Sequence, residues 1–364
     1  MAVVKDYKVI NLESTLSNYE VEAYAPSRID LGGGVDHRLI SLLCRSLNLC
    51  TFNISLCLYS RVKLEPFKKG YICITSHGIG ETEYEASFPT FDGDFTLVKA
   101  FLSYFNVSGV KVSIKNDFPS FSGLGGSGAL SVAVIAALLK VIELAGVPAN
   151  HSQKDIVWIA HSIEDSLYKN TGLQDQSAAV YGGINILSWC YERVAAIFER
   201  ESISINSLQE KNLEDRICLF YTGKPHEQTL IGSRIIHEFK NNPNGLRFIE
   251  EINSNTKQFI AEFKNGNWKN ISKLLDQEET LRSGFLNYPI SKSVEKVLRF
   301  GRKVDCGIKF CGGGGGGCMW AFGEADSIKE LKDFVLQIGE LTLLPFNINT
   351  SGVQVKTLGY EKNS

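Results

Sequence analysis

The 364-residue sequence lacks several features, and each absence removes a class of function. Formal net charge is only −2, and no block of like charges interrupts the chain. It therefore carries neither a basic arm for nucleic acid nor a polycationic patch for an anionic membrane. The amino end, Met1 to Lys8, has no apolar run of the secretory kind, so the cytoplasm is the expected compartment. Nine cysteines, at 44, 50, 57, 73, 190, 218, 306, 311 and 318, include no C-x-x-C pair and no histidine at zinc spacing. They read as reduced, mostly buried small hydrophobes. Cys311 and Cys318 bracket a glycine run, but two thiols without further ligands make a poor zinc site. No Gly-Lys-Ser/Thr is present, which excludes a Walker-type loop. Hydrophobic and charged shares of 44% and 21% are those of a globular protein long enough for two cored domains.

What the chain does have is glycine in organised runs. Pro119-Ser120-Phe121-Ser122-Gly123-Leu124-Gly125-Gly126-Ser127-Gly128-Ala129 leads straight into an apolar helix. Glycines allow close backbone approach, and the first helical turn offers N–H groups and a positive dipole end. The pair forms an anion cradle suited to a nucleotide polyphosphate, or else a tight bend with no ligand. The helix, Ala129 to Ala145, is interrupted only by Ser131, Lys140 and Glu143. It spans about 25 Å, too short for a bilayer, and reads as a buried core helix stopped by Gly146 and Pro148. Gly123, Gly125 and Gly128 also spell G-x-G-x-x-G. A dinucleotide-binding dehydrogenase is disfavoured because Asn116 to Ser122 separates the glycines from the alternating strand Val110-Lys111-Val112-Ser113-Ile114.

A second helix starts with Ser152 and Asp155 at capping-box spacing and has Ile156, Ile159, Ala160, Ile163 and Leu167 as its inner stripe. Glu164 falls at the border of that stripe, where it could turn into a cleft or lie in solvent. Lys169-Asn170-Thr171-Gly172 breaks the helix, and Asp175 follows eleven residues after Glu164. The two carboxylates could share one cleft, one holding a metal ion and the other taking a proton from an attacking hydroxyl.

Two further segments stand out. Ala25-Pro26-Ser27-Arg28-Ile29-Asp30-Leu31-Gly32-Gly33-Gly34-Val35-Asp36-His37-Arg38 sets a short strand against a glycine turn crowded with charge. Lys309-Phe310-Cys311 precedes six glycines, Gly312 to Gly317, and then the apolar Cys318 to Phe322. Six glycines are costly to order, and a strand-like run follows at once, so this backbone is expected to pack against something bulky rather than to serve as a linker.

In this order the three segments resemble the three motifs of the GHMP kinases, the family of galactokinase, homoserine kinase, mevalonate kinase and phosphomevalonate kinase. The middle motif, P-x-x-x-G-L-G-S-S-A, is met by Pro119, Gly123, Leu124, Gly125 and Ser127, with Gly126 and Gly128 in place of Ser and Ala. The first is met at Ala25 to Arg28, and the third at Lys309 and the glycine run, with Gly313 in place of Ala. The resemblance implies an α+β, two-domain GHMP kinase fold with a ribosomal S5 domain 2-like amino-terminal domain over residues 1–190 and a ferredoxin-like domain over 191–364. It implies ATP and Mg2+ as cofactors, Asp175 as catalytic base, Arg28 on the transferring phosphoryl, and Ser127 and Glu164 as metal ligands. Pro119 and Ser122 to Gly128 would bind ATP. Asp36, His37, Asp175, Gly313 and Gly314 would bind the acceptor.

For the acceptor, Arg28 to Asp36 is similar to the R-I-D-x-x-G-G-x-x-D of fucose kinases. Gly172 to Gly183 and Leu219-Phe220-Tyr221-Thr222-Gly223 are similar to segments of heptose 7-phosphate kinases. The resemblance thus implies a sugar or sugar phosphate as partner, phosphorylated at an anomeric hydroxyl. Arg38, Lys224 and His226 could meet a phosphate on the acceptor or be solvated loop charges. A kinase-shaped regulator that binds sugar and ATP without turnover is the rival reading; Asp175, Glu164 and Arg28 together favour chemistry.

Overall fold

The computed structural model describes residues 9–169, 171–193, 196–225 and 228–360. The first half runs β1 (Ile10–Asn11), α1 (Glu13–Leu16), β2 (Tyr19–Leu31), α2 (Arg38–Leu43), β3 (Cys50–Pro66), β4 (Tyr71–Ser76), β5 (Gly80–Glu85), α3 (Thr96–Tyr104), β6 (Val107–Ser108) and β7 (Val110–Asn116). It continues through α4 (Gly126–Leu144), α5 (Gln153–Tyr168), α6 (Gln174–Tyr181), β8 (Ile184–Arg193) and β9 (Ala196–Ile203). The second half runs α7 (Ser207–Asp215), β10 (Ile217–Tyr221), α8 (Gln228–Asn241), α9 (Gly245–Asn265), α10 (Trp268–Leu286), α11 (Lys292–Lys303), β11 (Gly307–Phe310), β12 (Cys318–Phe322), α12 (Ala325–Leu336), β13 (Thr342–Leu344) and β14 (Gln354–Gly359).

An eight-stranded sheet follows the order β14-β2-β3-β7-β4-β5, with β8 added along the first part of β3 and β9 along β8. The long strand β3 makes this possible: Cys50 to Ile54 pair with β8, and Ser60 to Pro66 pair with β7. A four-stranded antiparallel sheet, β11-β12-β10-β13, carries the second half with its helices. The first sheet runs past the 190/191 division expected from the sequence, because β9 pairs with β8 and β14 returns to the edge of β2. No single cut separates the two layers.

The core helix expected from residue 129 onward is α4, which begins three residues earlier and lies buried with α5 and α6 over β2 and β3. Its apolar side chains come from nearly all round the helix, which fits an interior position rather than a surface one. The opposite face of the sheet, through Ile29, Leu31, Phe52 and Ile54, packs on Phe259 and Phe263 of α9, Leu275 of α10 and Trp320 of β12. The Ser152–Asp155 capping box starts α5 as expected, with the Ser152 side chain accepting the Asp155 N–H. The buried face of α5 is wider than the expected stripe: Val157 and Glu164 lie inside, because α4 and α6 cover the flank beyond Ile163.

Candidate active site

Arg28 stands near the end of β2, where a bulge after Pro26 shifts the register against β3. Its Nε and Nη2 each lie 2.8 Å from Asp175 Oδ1, and its Nη1 donates to the Gly123 carbonyl at 2.6 Å. Nη1 also sits 3.3 Å from Oδ1 of Asp30, two residues on along the strand. Burial opposes the Arg28 charge, but Asp175 and Asp30 outweigh it and hold the guanidinium fully protonated. Asp175 stands in the first turn of α6 with 27% of its side chain exposed, so it is both anchored and open to a ligand. Burial raises its pKa, Arg28 opposes that, and the charges of Asp36 and Asp30 push further upward. A carboxylate made more basic in this way and reachable from solvent is suited to accept a proton.

Asp30 is the fixed point beneath. It is fully buried, accepts the Gly312 N–H at 2.8 Å, and has the Lys309 ammonium 3.9 Å away. Burial would raise its pKa, yet Arg28 and Lys309 dominate and hold it at about 2. One carboxylate therefore ties the first glycine segment to the third.

The segment Pro119 to Ala129 turns at Gly123 and Gly125, both left-handed with φ of 75° and 73°. Gly125 is the N-cap of α4, and a Cβ there would lie 3.2 Å from Asp175 Cγ, so the helix start abuts the candidate base. Pro119 is half-buried at the loop entry, Ser122 and Leu124 are buried, and the Leu124 carbonyl accepts the Arg28 N–H. Both glycines that replace Ser and Ala have steric causes. A Cβ at Gly128 would lie 2.7 Å from Asp175 Cβ, and one at Gly126 would lie 2.9 Å from the Phe118 ring. The run Gly312 to Gly317 packs on a bulky ring, as expected, and also on backbone. A Cβ at Gly317 would meet the Ser122 carbonyl at 2.5 Å, while one at Gly314 would meet the Tyr288 ring at 2.4 Å.

Glu164 and Ser127 are hydrogen-bonded neighbours, with Gln176 Nε2 also on the Glu164 carboxylate. Burial and the charge of Asp175 push Glu164 up to about 7 despite these bonds. A buried carboxylate with no ion-pair partner given among the described residues, beside a hydroxyl at a helix start, offers the hard oxygen donors that a Mg2+ ion would take. The described residues contain no cluster of three or more His, Cys, Asp or Glu that would hold a metal by protein ligands alone.

On the other side of Asp175, Asp36 is buried and accepts N–H groups from Gly34 at 3.1 Å and Gln174 at 3.2 Å. Gly172 permits this approach, since a Cβ there would fall 1.9 Å from Asp36 Oδ2. Gln174 Nε2 is 3.5 Å from Asp30 Oδ2, while its Oε1 and the Nδ1 of half-buried His37 have no partner among the described residues. Gly313 is half-buried, and Gly314 is buried in the same loop. Arg38 and Lys224 are exposed; His226 lies outside the described residues.

Residues 95–183 match the model of the GHMP kinases N terminal domain. This chain carries a GHMP kinase N-terminal domain and folds as GHMP kinases do. It is 30% identical over 222 residues to the D-glycero-alpha-D-manno-heptose 7-phosphate kinase of Campylobacter jejuni, covering 57% of this chain and 61% of that one. It is 21% identical over 277 residues to the bifunctional fucokinase/GDP-fucose pyrophosphorylase of Arabidopsis thaliana, covering 73% of this chain but 25% of that longer one. The chain thus spans less than two thirds of either relative. The crystal structure of a D-glycero-D-manno-heptose 1-phosphate kinase from Bacteroides thetaiotaomicron superposes with a TM-score of 0.69 at 20% identity, covering 92% of this chain and 98% of that one.

One part of this GHMP kinase fold was not singled out from the sequence. Glu278, Glu279 and Arg282 of α10 are buried at the edge of the same site, next to Lys309. Phe310 N–H and Tyr288 O–H donate to Glu279 at 2.9 and 2.7 Å. Burial raises the Glu279 pKa, opposed by these bonds and by Lys309. The only local signal was a Glu–Arg pair at i,i+4, which on most helices marks a solvated face.

Proposed function

We propose that this chain is an ATP-dependent kinase that transfers the γ-phosphoryl group to a hydroxyl, the anomeric one, of a sugar phosphate of the heptose 7-phosphate class. The observation that carries the reading is the Arg28–Asp175 pair against the first turn of α4. It sets a basic, reachable carboxylate and a fixed positive charge beside an anion cradle.

In the reaction Asp175 takes the proton of the acceptor hydroxyl as its oxygen bonds to the γ-phosphorus. The bond to the β–γ bridging oxygen breaks and ADP leaves. Arg28, unable to lose its proton, offsets charge on the transferring group. Ser127 and Glu164 would hold Mg2+, which when bound neutralises charge on the β- and γ-phosphates. Asp36, pinned by two backbone N–H groups, keeps lone pairs for acceptor hydroxyls. The heptose kinase similarity supports the acceptor class, and exposed Arg38, two residues after Asp36 in the chain, supplies positive charge for a phosphate on it.

ADP release measured over D-galactose, L-fucose, mevalonate and D-glycero-D-manno-heptose 7-phosphate tests the reading. The heptose phosphate is expected to give the largest kcat/KM, with phosphorus NMR of the product showing a new anomeric phosphate. Binding of ATP and acceptor without ADP release for any of them would overturn it in favour of a regulator.

A further inference from the structure

The loop Gly32-Gly33-Gly34 that presents Asp36 has no side chains with which to hold itself, and glycine runs are costly to order. Its backbone is instead gripped by α10, distant in sequence. Glu278 accepts the Gly32 N–H on Oε1 and Oε2 at 3.3 and 3.2 Å. Arg282 Nη2 donates to the Gly33 carbonyl at 2.9 Å and to Glu278 Oε1 at 2.7 Å. The third peptide N–H, that of Gly34, goes to Asp36 itself. Both side chains of the pair have 0% exposure. Lys309 Nζ lies 3.7 Å from Glu278 Oε1 and 3.1 Å from the Asp30 carbonyl, which links the grip to the strand that carries Arg28.

A pair buried this completely rarely adds net stability, because desolvation offsets the attraction and two apolar side chains would pack as well. What apolar residues cannot provide is an acceptor aimed at Gly32 N and a donor aimed at Gly33 O. We propose that Glu278 and Arg282 are positioning residues for the acceptor loop, fixing Gly32 to Asp36 so that the Asp36 carboxylate meets the acceptor in one orientation. The kinetic part of this proposal rests on the kinase reading; the structural part does not.

The test is the double variant Glu278→Met/Arg282→Met in the full chain, which removes both charges of the pair together and leaves buried Lys309 the Asp30 carboxylate as its counter-charge. Its melting temperature is expected within a few degrees of the parent's. Amide hydrogen exchange of residues 32–37 is expected to speed up tenfold or more, with residues 123–128 unchanged. Acceptor KM is expected to rise about tenfold or more, with ATP KM within twofold. Glu278→Gln, which keeps an acceptor oxygen for the Gly32 N–H, is expected to recover the exchange protection at residue 32 while melting below the parent, since Arg282 keeps its charge without its partner. Parent-like exchange at 32–37 in the folded double variant overturns the proposal. If that variant does not fold, Arg282→Lys, whose shorter side chain keeps the charge but cannot hold one nitrogen on both the Gly33 carbonyl and Glu278 as Nη2 does, decides by the same exchange readout. A parent protein inactive on every acceptor would bring down the kinase reading and leave the exchange result to decide this one.

Discussion

Arg28 reaches one oxygen of Asp175 with two nitrogens, Nε and Nη2, each at 2.8 Å, so the orientation of the carboxylate is set by a rigid fork. Among the described residues no hydrogen bond to the other oxygen stands beside these two. If Asp175 is the base, Asp175→Asn should lower kcat by about two orders of magnitude or more and leave ATP affinity near the parent's, measured by steady-state kinetics and calorimetry. Arg28→Lys keeps the charge but cannot hold Asp175 and the Gly123 carbonyl together. A similar loss in kcat is expected, because Arg and Lys are not interchangeable where the fork is used. Unchanged turnover in either variant removes that residue from the chemistry.

The two glycines that depart from the motif should respond differently to restoration. Gly128 faces the backbone and Cβ of Asp175, which cannot move without moving the candidate base. Gly128→Ala is expected to cost about 1–3 kcal/mol in urea unfolding and to lower kcat at least tenfold. Gly126 faces only the edge of the Phe118 ring, which can tilt. Gly126→Ser should cost less than about 1 kcal/mol, and Phe118→Leu should relieve it. Equal losses at both positions would contradict this account.

Asp30 makes a prediction for acid stability. Its folded pKa of about 2 is below the unfolded value of about 3.9, so the stability it contributes is full above pH 4 and is lost as pH falls through about 2. The contribution is on the order of 2 kcal/mol. Urea unfolding followed from pH 5 to pH 2 should show that slope in the parent and a flatter one in Asp30→Asn. At pH 7 the variant should be weaker by about 3–5 kcal/mol, since Arg28 and Lys309 lose a buried counter-charge. A pH dependence identical in both proteins would refute the assignment.

Much of the site could be read along the chain because its parts are local. Glycines before an apolar helix, Ser152 three residues before Asp155, and Asp175 after the break at Gly172 each depend on neighbours in sequence. By periodicity Glu164 falls at the border of its helix face, and only the packing of α6 shows which side is inside. The Glu278–Arg282 pair was out of reach for the same reason: i,i+4 charges look alike on wet and dry faces until the Gly32 loop is laid against them. The return of β14 to β2 joins Gln354 to Tyr24, a long-range pairing that no local pattern encodes.

Glu164 predicts the metal dependence. Glu164→Gln preserves shape and removes the charge, and Mg2+ prefers charged oxygen donors. The Mg2+ concentration for half-maximal turnover should rise about tenfold or more, while unfolding stability holds or improves because the desolvation cost of a buried carboxylate, opposed by hydrogen bonds with Ser127 and Gln176, is gone. A Mg2+ requirement equal to the parent's would exclude Glu164 as a ligand.

The cysteines offer a test of the packing between the glycine segments that needs no substrate. Cys311 and Cys318 flank Gly312 to Gly317, and both are buried against the loop that holds Ser122 and Gly123. Burial pushes the Cys311 thiol up to about 12, with the charge of Asp30 adding to it, and raises Cys318 further. A thiol with a raised pKa is neutral at pH 8, and the neutral form is not the nucleophile. Cys57, by contrast, is exposed. Iodoacetamide at pH 8, followed by peptide mass spectrometry, should therefore label Cys57 in the folded protein and leave Cys311 and Cys318 untouched until urea unfolds the chain. Labelling of Cys311 in the native protein at the rate of Cys57 would mean that the glycine run stands away from Gly123, and the contact that joins the first and third segments through Asp30 and Gly312 would go with it.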